Sequence, residues 1–322
     1  MLHGRFDARW PRRHRLPTAI AQPVRRPRVL VALFDPVVPA LGQRLSRLCG
    51  FQPPAALLAG YCADLAWASR GYLRYQLVET RWLDQLPVLE DGFTYHPEEW
   101  LHCWQRRADW HQPAMADYPA LVARLGVAER IAVGELDEVW CLGPPYAGFW
   151  ESAMVGPGAW WCNAPPVPLA ACRRPFVLMG FNYERGVGEM LESFGHRVEA
   201  CVARAFGSWR EWGGRDGHAW DRFTAYDLVA PGGAGCGTVH YAPNSTTDYD
   251  WGNPRAVWSD CDAWLDYPAG RGRRRLVDCH EWGGGEIRAH HRWWLRHLPC
   301  APGEHEGRLA NWWRYALLEP GG

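Results

Sequence analysis

The sequence predicts a single domain of the α/β or α+β class, built on a mixed sheet with long aromatic-rich loops and a central amphipathic helix. Runs of strand-forming residues alternate with segments of helical periodicity along the chain. One stretch, residues 176–206, reads continuously as a buried strand, a glycine-containing turn and an amphipathic helix. The length of 322 residues allows a large core. We expect residues 28–322 to form one catalytic or binding domain, after a disordered Arg- and Pro-rich arm at 1–27.

The composition limits the kinds of partner. The 35 basic and 35 acidic residues are mixed along the chain, so no charged surface for nucleic acid or for an anionic membrane is indicated. No apolar run approaches the length of a membrane span. The 11 cysteines occur without a CxxC pair, unlike those of a zinc knuckle or a dense disulfide framework. We expect a cytoplasmic protein that binds a small-molecule, peptide or glycan substrate; export and oligomeric state stay open.

The element boundaries follow from β-forming runs, helical spacing and the glycine or proline residues between them. The first strand, RVLVALF at 28–34, ends at Asp35-Pro36. The next predicted elements are a helix at 56–69, a strand at 72–83, helices at 97–107 and 118–125, and a strand at 138–142. After the central strand and helix, the sequence predicts a helix start at 260–266 and a strand at 273–279. These units do not add up to the eight regular repeats of a βα barrel.

A long segment at 143–168 is rich in glycine, proline and aromatic residues and cannot be regular throughout. Loops of this length in compact domains are commonly functional. The chain contains 21 Trp, and Trp is costly to place unless it packs or meets a flat ligand. We therefore predict that this loop forms the wall of a substrate cleft. The flat surfaces would come from Tyr146, Phe149, Trp150, Trp160 and Trp161.

The central helix has one apolar and one polar arc. At helical spacing, its polar arc carries three carboxylates and an imidazole, from Glu189, Glu192, His196 and Glu199. One interpretation is an ordinary solvated face or a buried polar network. The other is a metal or proton-transfer site at the mouth of the preceding strand, where open α/β sheets tend to place ligands.

The spacing within this arc suits a divalent metal ion, with zinc as the first candidate. Glu192 and His196 are four residues apart and Glu199 follows three later, so all three can point one way with mixed nitrogen and oxygen donors. A further ligand would come from His240, or otherwise from His280 or His290. His240 lies in a donor-rich loop whose DYDWGN run resembles part of a calcium loop without its full set of ligands.

The run Glu192-Ser193-Phe194-Gly195-His196 resembles the HExxH helix of zincin metallopeptidases. Glu192 stands at the position of the first His, and Ser193 at that of the general-base Glu. The resemblance covers 176–206 and a preceding edge strand and loop at 138–148. It implies a metal-dependent hydrolase acting on a peptide or related bond, with Glu189 or Glu184 replacing the base. A degenerate zincin that binds without cleaving is equally compatible.

Two other functions fit the same sequence. Glu184 follows the strand at 176–183, and Glu281 follows the strand at 273–279, so both carboxylates are candidates for strand ends in a common sheet or barrel. Paired carboxylates in an aromatic setting are the machinery of glycoside hydrolysis. The third possibility is a glycan- or peptide-binding protein with aromatic walls and no catalytic activity.

Overall fold

The computed structural model describes residues 22–207 and 217–319. Most of the arm predicted at 1–27 lies outside the described residues. Its last part, 22–27, contacts the body of the domain. The Gln22 amide donates to the Cys300 carbonyl at 2.9 Å, and the Arg25 guanidinium pairs with Glu319 at 2.8 Å.

The described chain contains strands and helices in mixed order. The strands are β1 Arg28–Phe34, β2 Val37–Val38, β3 Gln43–Arg44, β4 Gln76–Leu83, β5 Glu138–Gly143, β6 Ser152–Val155, β7 Phe176–Asn182, β8 Val257–Ser259, β9 Arg275–Val277, β10 Cys300–His305 and β11 Arg308–Asn311. The helices are α1 Leu45–Leu48, α2 Pro54–Ala68, α3 Pro97–Arg106, α4 Tyr118–Leu125, α5 Val127–Ala132, α6 Val187–Phe206, α7 Ala219–Thr224, α8 Cys261–Trp264, α9 Ile287–His297 and α10 Trp313–Ala316.

Five strands form the main sheet, in the order β4-β1-β5-β7-β6. The first four are parallel, and β6 runs antiparallel to β7. The predicted mixed sheet in a single α+β body is confirmed. From β1 the chain passes to β4 on one side and then to β5 on the other. Open sheets of this kind place ligand sites at the carboxyl ends of the strands, beside such a reversal.

Helices cover both faces of the sheet, as the alternation along β1 illustrates. Val29, Val31 and Leu33 point into the larger core, which includes residues of α2, α6 and α9. The intervening residues of β1 point into a second core, formed with α4 and α5. A strand buried on both faces reads as a continuous apolar run, which is why the sequence of β1 was a strong predictor.

The central helix α6 is fixed to the sheet by a buried ion pair. Arg197 is 1% exposed, and its guanidinium donates to both carboxylate oxygens of Glu138 on β5, at 2.6 and 2.7 Å. The helix begins after Gly186, whose N–H donates to the Glu189 carboxylate at 3.0 Å. It ends at Gly207, which has a φ of +80°. Sequence features at both ends therefore specify the helix that was predicted.

The segment at 143–168, expected not to be regular throughout, contains one short strand, β6, which pairs with β7. Two expectations need correction. The strand β5, expected at an edge by resemblance, lies in the middle of the sheet. Finally, β9 pairs with β8 in a separate two-stranded sheet, so Glu281 does not follow a strand of the sheet that contains β7. Within residues 22–207 and 217–319, no helix is both long and apolar enough to cross a membrane.

Candidate metal centre

The helix α6 and the loop after residue 237 bring three potential ligands together. Glu192 and His196 lie one turn apart on α6, and His240 approaches from the loop. Gly195 makes this approach possible, because a Cβ at that position would lie 2.6 Å from the Cγ2 atom of Val239. The glycine next to His196 thus determines how closely the backbone before His240 can approach α6.

One potential ligand atom from each of these residues points to a common centre. The Nε2 atoms of His196 and His240 are 3.1 Å apart, and the His240 Nε2 atom is 3.2 Å from Glu192 Oε1. All three atoms lie within 4.8 Å of one another. Two ligands of a tetrahedral zinc ion, each bound at about 2.0–2.1 Å, are separated by about 3.3 Å. These residues could therefore hold a metal ion without a large rearrangement.

Carboxylates occupy the far side of both imidazoles. The Nδ1 atom of His196 is 3.0 Å from Glu199 Oε2, and that of His240 is 3.1 Å from Asp248 Oδ1. An ionised carboxylate only accepts, so each Nδ1 carries the proton and donates it. When the second proton is absent, as metal binding requires, the Nε2 lone pairs face the centre. Metal-bound histidines are commonly oriented by a carboxylate in this way.

The Glu199 carboxylate does not lie among the converging atoms. It was proposed as a ligand, but its carboxylate lies behind His196, where Oε1 also accepts the Val239 N–H at 2.9 Å. The side chain is almost fully buried and connects α6 to the loop that carries His240. Helical periodicity placed Glu199 on the correct face of α6. It did not show that the carboxylate would contact the His196 ring and not the centre.

The electrostatics favour a positive charge at the centre. Burial opposes ionisation of Glu192, but hydrogen bonds from His240 and Tyr249 and the nearby histidine charges outweigh it and lower its pKa. Burial likewise opposes the charged form of His196, but the bond to Glu199 and the surrounding carboxylates raise its pKa to about 9. A proton or a metal cation can supply this charge, and the two compete for the same nitrogen.

Tyr249 is a fourth group at the centre, which the sequence reasoning missed. Its hydroxyl lies 3.0 Å from both Glu192 Oε1 and His240 Nε2. Tyr249 occupies the left-handed backbone region, with a φ of +57°. The sequence signal that could have found Tyr249 is its place in the donor-rich loop that also carries His240. The calcium interpretation of that loop is not supported by Asp250, whose carboxylate binds Thr246 and Asn253 within the loop.

Glu151 is a second group that the sequence reasoning missed. Its Oε2 atom is 3.6 Å from His196 Nε2 and accepts a hydrogen bond from the Asn163 amide at 2.6 Å. Burial raises the pKa of Glu151, although the charge of His196 partly offsets this effect. Glu151 lies in the loop that was interpreted through its aromatic residues, immediately before β6. The aromatic residues of this loop, not its acidic residue, give the sequence pattern that predicts a cleft wall.

A pocket of about 220 Å³ adjoins the centre at the carboxyl ends of β5 and β7. The first part of the predicted loop and the N-terminal half of α6 form its walls, as expected for a site at this edge of the sheet. Gly180 on β7 permits the loop to cross, because a Cβ there would lie 2.3 Å from the Trp150 carbonyl oxygen. Glu151 lines this pocket and also approaches His196, so it connects the pocket with the centre.

Two of the five predicted aromatic residues line this pocket. Tyr146 and Phe149 form part of its wall. Trp150 packs against the second core, Trp160 lies under the Arg204 guanidinium, and Trp161 is 59% exposed. Much of the tryptophan excess is instead in the core, where seven Trp side chains are almost completely buried. The excess thus reflects packing more than a ligand surface.

The other predicted catalytic carboxylates lie apart from the converging atoms. Glu189 lines the pocket, but its carboxylate caps the start of α6. Glu184 is exposed after β7. Glu281 is held by Arg275 at 2.7 and 2.9 Å. Since Glu184 and Glu281 follow strands of different sheets, the arrangement expected for a glycoside hydrolase is not formed by strand ends of a common sheet.

The alternative ligands His280 and His290 also lie elsewhere. His280 is exposed and bonds Asp278 at 2.9 Å. His290 is fully buried on α9, stacked on Trp251. Of the three histidines considered, His240 joins Glu192 and His196. No protein-family model, curated protein or solved structure matches the chain.

Proposed function

We propose that the protein is a metal-dependent hydrolase that binds a divalent transition-metal ion, zinc first, through Glu192, His196 and His240. The substrate would be a peptide or a related carbonyl compound bound in the adjoining pocket. The observation that carries the proposal is the convergence of two imidazole nitrogens and the Glu192 carboxylate oxygen. Each imidazole also has a carboxylate at its Nδ1 atom, from Glu199 for His196 and from Asp248 for His240. Two histidines and one glutamate are a common ligand set of catalytic zinc.

The residues around the centre suit hydrolysis. Zinc in such a site lowers the pKa of water and polarises a carbonyl group. Glu151 lies on the pocket side of His196, where it would accept a proton from water and later return it to the leaving group. Its raised pKa brings it closer to the range in which a carboxylate both accepts and donates a proton. Asn163 holds the carboxylate in position.

Metal content tests the first part of the proposal. The purified protein would be dialysed against a weak chelator and measured by plasma mass spectrometry. We expect close to one zinc ion per chain, and its loss in His196→Ala and in His240→Ala, because each change removes one of three ligands. His102→Ala is the matched control, since His102 is exposed and its imidazole contacts Arg106. Metal-free wild type that also fails to take up added zinc would overturn the proposal.

Glu151→Gln tests the second part. The amide keeps the size of the side chain but cannot accept the proton, so hydrolysis of a responsive peptide or ester should fall by about 10²–10⁴-fold. Zinc content should be unchanged, because Glu151 is not one of the three ligands. Glu189→Gln serves as the matched control on the same pocket and should retain most activity. Equal loss in both variants, or full activity in Glu151→Gln, would contradict the assignment of the base.

A further inference from the structure

The outer surface formed by α2 and β4 is apolar. It lies at the β4 edge of the main sheet, away from β7 and the metal centre. The sequence of α2 is PAALLAGYCADLAWA, which is hydrophobic around the whole helix. Its one charged residue, Asp64, points inward and pairs with Arg288 at 2.6 Å and Arg292 at 3.2 Å. A helix without a polar face is normally covered on all sides. On α2, however, Ala55 and Ala59 are exposed.

The strand β4 continues this surface. It is an edge strand of the main sheet, eight residues long and without proline. Leu77, Val78 and Trp82 are 38%, 49% and 51% exposed. A groove of about 440 Å³ runs between the strand and α2, and none of the described residues that line it is charged. Long exposed apolar edges are usually protected, since they pair readily with another strand.

The sequence of β4 indicates what covers the surface. Glu79 and Arg81 would deter most strands that approached this edge, because charged residues on an edge disfavour pairing. Within one chain Glu79 is bound by Arg81 and by Arg130, the latter at 2.6 Å. The two charges of β4 are nevertheless also complementary to those of a second, antiparallel β4. If two copies pair antiparallel about a twofold axis at Thr80, Glu79 of each copy lies opposite Arg81 of the other. The same register places Thr80 of the two copies opposite each other, a Thr–Thr pair of the kind that stabilises sheets, with Trp82 of each copy on the same face as Thr80.

The backbone is compatible with this register. The irregularity of β4 against β1 lies before Glu79, and the strand is regular from Glu79 to Leu83. Glu79 and Arg81 lie on the face of α4 and α5, where Arg81 donates to the Leu125 carbonyl at 2.6 Å. Thr80 and Trp82 lie on the opposite face and line the groove. The charged pairs and the Thr80 pair would therefore form on separate faces of the joined sheet.

We propose that the protein forms a twofold-symmetric homodimer through the α2–β4 surface, with the two β4 strands joined into a ten-stranded sheet. A twofold interface uses the same patch on both copies, so it requires a self-complementary surface. This patch meets the requirement with an uncharged groove and an exposed Trp82. Its Glu79 and Arg81 flank Thr80, so in the antiparallel pair each charge lies opposite the other sign. The proposal does not depend on the metal centre.

Sedimentation equilibrium on the full chain tests the dimer. We expect the wild type to have twice the chain mass of 36.6 kDa. Trp82→Asp should give single chains. Trp258→Asp is the matched control, because Trp258 is also exposed, on β8, with an arginine over its ring as Trp82 has. It should remain dimeric. Wild type that stays at the single-chain mass at every concentration would overturn the proposal, as would a dimeric Trp82→Asp variant.

Two further variants address the register and guard against misfolding. Thr80→Arg changes an exposed residue and would place two arginines opposite each other at the axis, so it should dissociate the dimer while circular dichroism remains unchanged. Glu79→Arg should also dissociate it, because the introduced guanidinium would meet Arg81 of the other copy in addition to Arg81 and Arg130 of its own chain. Adding Arg81→Glu restores opposite charges and should restore the dimer. A folded Thr80→Arg variant that stays dimeric would rule out this register.

Discussion

At the scale of single residues, the two histidines of the centre are oriented in the same way. Each imidazole has a carboxylate at Nδ1 and directs Nε2 to the common point. The carboxylates differ in their exposure, since the Glu199 side chain is 3% exposed and that of Asp248 is 50% exposed. Hydrogen bonds are stronger where water is excluded, so Glu199 should contribute more to the orientation of its histidine.

Replacement of Glu199 by Gln should weaken zinc binding by about 10–100-fold. The amide oxygen can still accept the Val239 N–H, which leaves the amide nitrogen to face His196 Nδ1. His196 would then carry its proton on Nε2, where the metal must bind. Competition with a chromophoric zinc chelator measures the change. Asp248→Asn should have a smaller effect, and an unchanged affinity in Glu199→Gln would contradict the orienting role.

Spacing along the sequence predicted part of this site. Glu192 and His196 share a helical face because they are four residues apart, and the structure brings both to the centre. Tyr249 and Glu151 could not be found in this way, since they come from loops whose paths depend on tertiary packing. Glu199 was placed on the correct face, but periodicity does not show whether a carboxylate reaches a metal or a neighbouring ring.

At the scale of elements, the close approach of α6 to the loop after residue 237 is the contact that assembles the centre. The contact involves Gly195 on the helix and Val239 on the loop. Strands and helices with strong periodicity were predicted well, including β1 and α4 with their observed boundaries. The strand β6 was missed because its four residues, SAMV, carry no alternation and lie within a segment dominated by glycine and aromatic residues.

We predict that Gly195→Ala lowers stability and weakens zinc binding. Alanine in a helix gains up to about 1 kcal/mol over glycine, whereas overpacking costs about 1–3 kcal/mol. The new methyl group would meet Val239 Cγ2, and relief of that clash would displace His240. Urea unfolding and zinc titration measure the two effects. Adding Val239→Ala removes the clashing atom, so the double variant should lose less than the sum of the single losses.

At the scale of the whole molecule, the centre connects parts of the chain that are distant in sequence. Glu151 comes from the loop beside β6, Glu192 and His196 come from α6, and His240 comes from the following segment. A bound ion would hold these parts together in the folded state alone. Metal binding should therefore contribute to global stability.

Zinc should raise the melting temperature of the wild type. At a free concentration of about 100 times Kd, binding stabilises the folded state by about 2.7 kcal/mol. For a protein of this size the shift should be about 4 °C. Scanning calorimetry measures it, EDTA should reverse it, and His240→Ala should not show it. An equal shift in His240→Ala would place the binding site elsewhere.

The buried pair of Arg197 and Glu138 also sets the rotational phase of α6. Consecutive residues on a helix point about 100° apart, so the direction of Arg197 determines that of His196 beside it. Because Arg197 is held by the Glu138 carboxylate of β5, His196 must face the loop that carries His240. Glu192, one turn earlier on α6, must then face the same loop. An ion pair on the sheet side of α6 thus fixes the rotation of the helix about its axis, and with it the direction of the potential metal ligands on the other side.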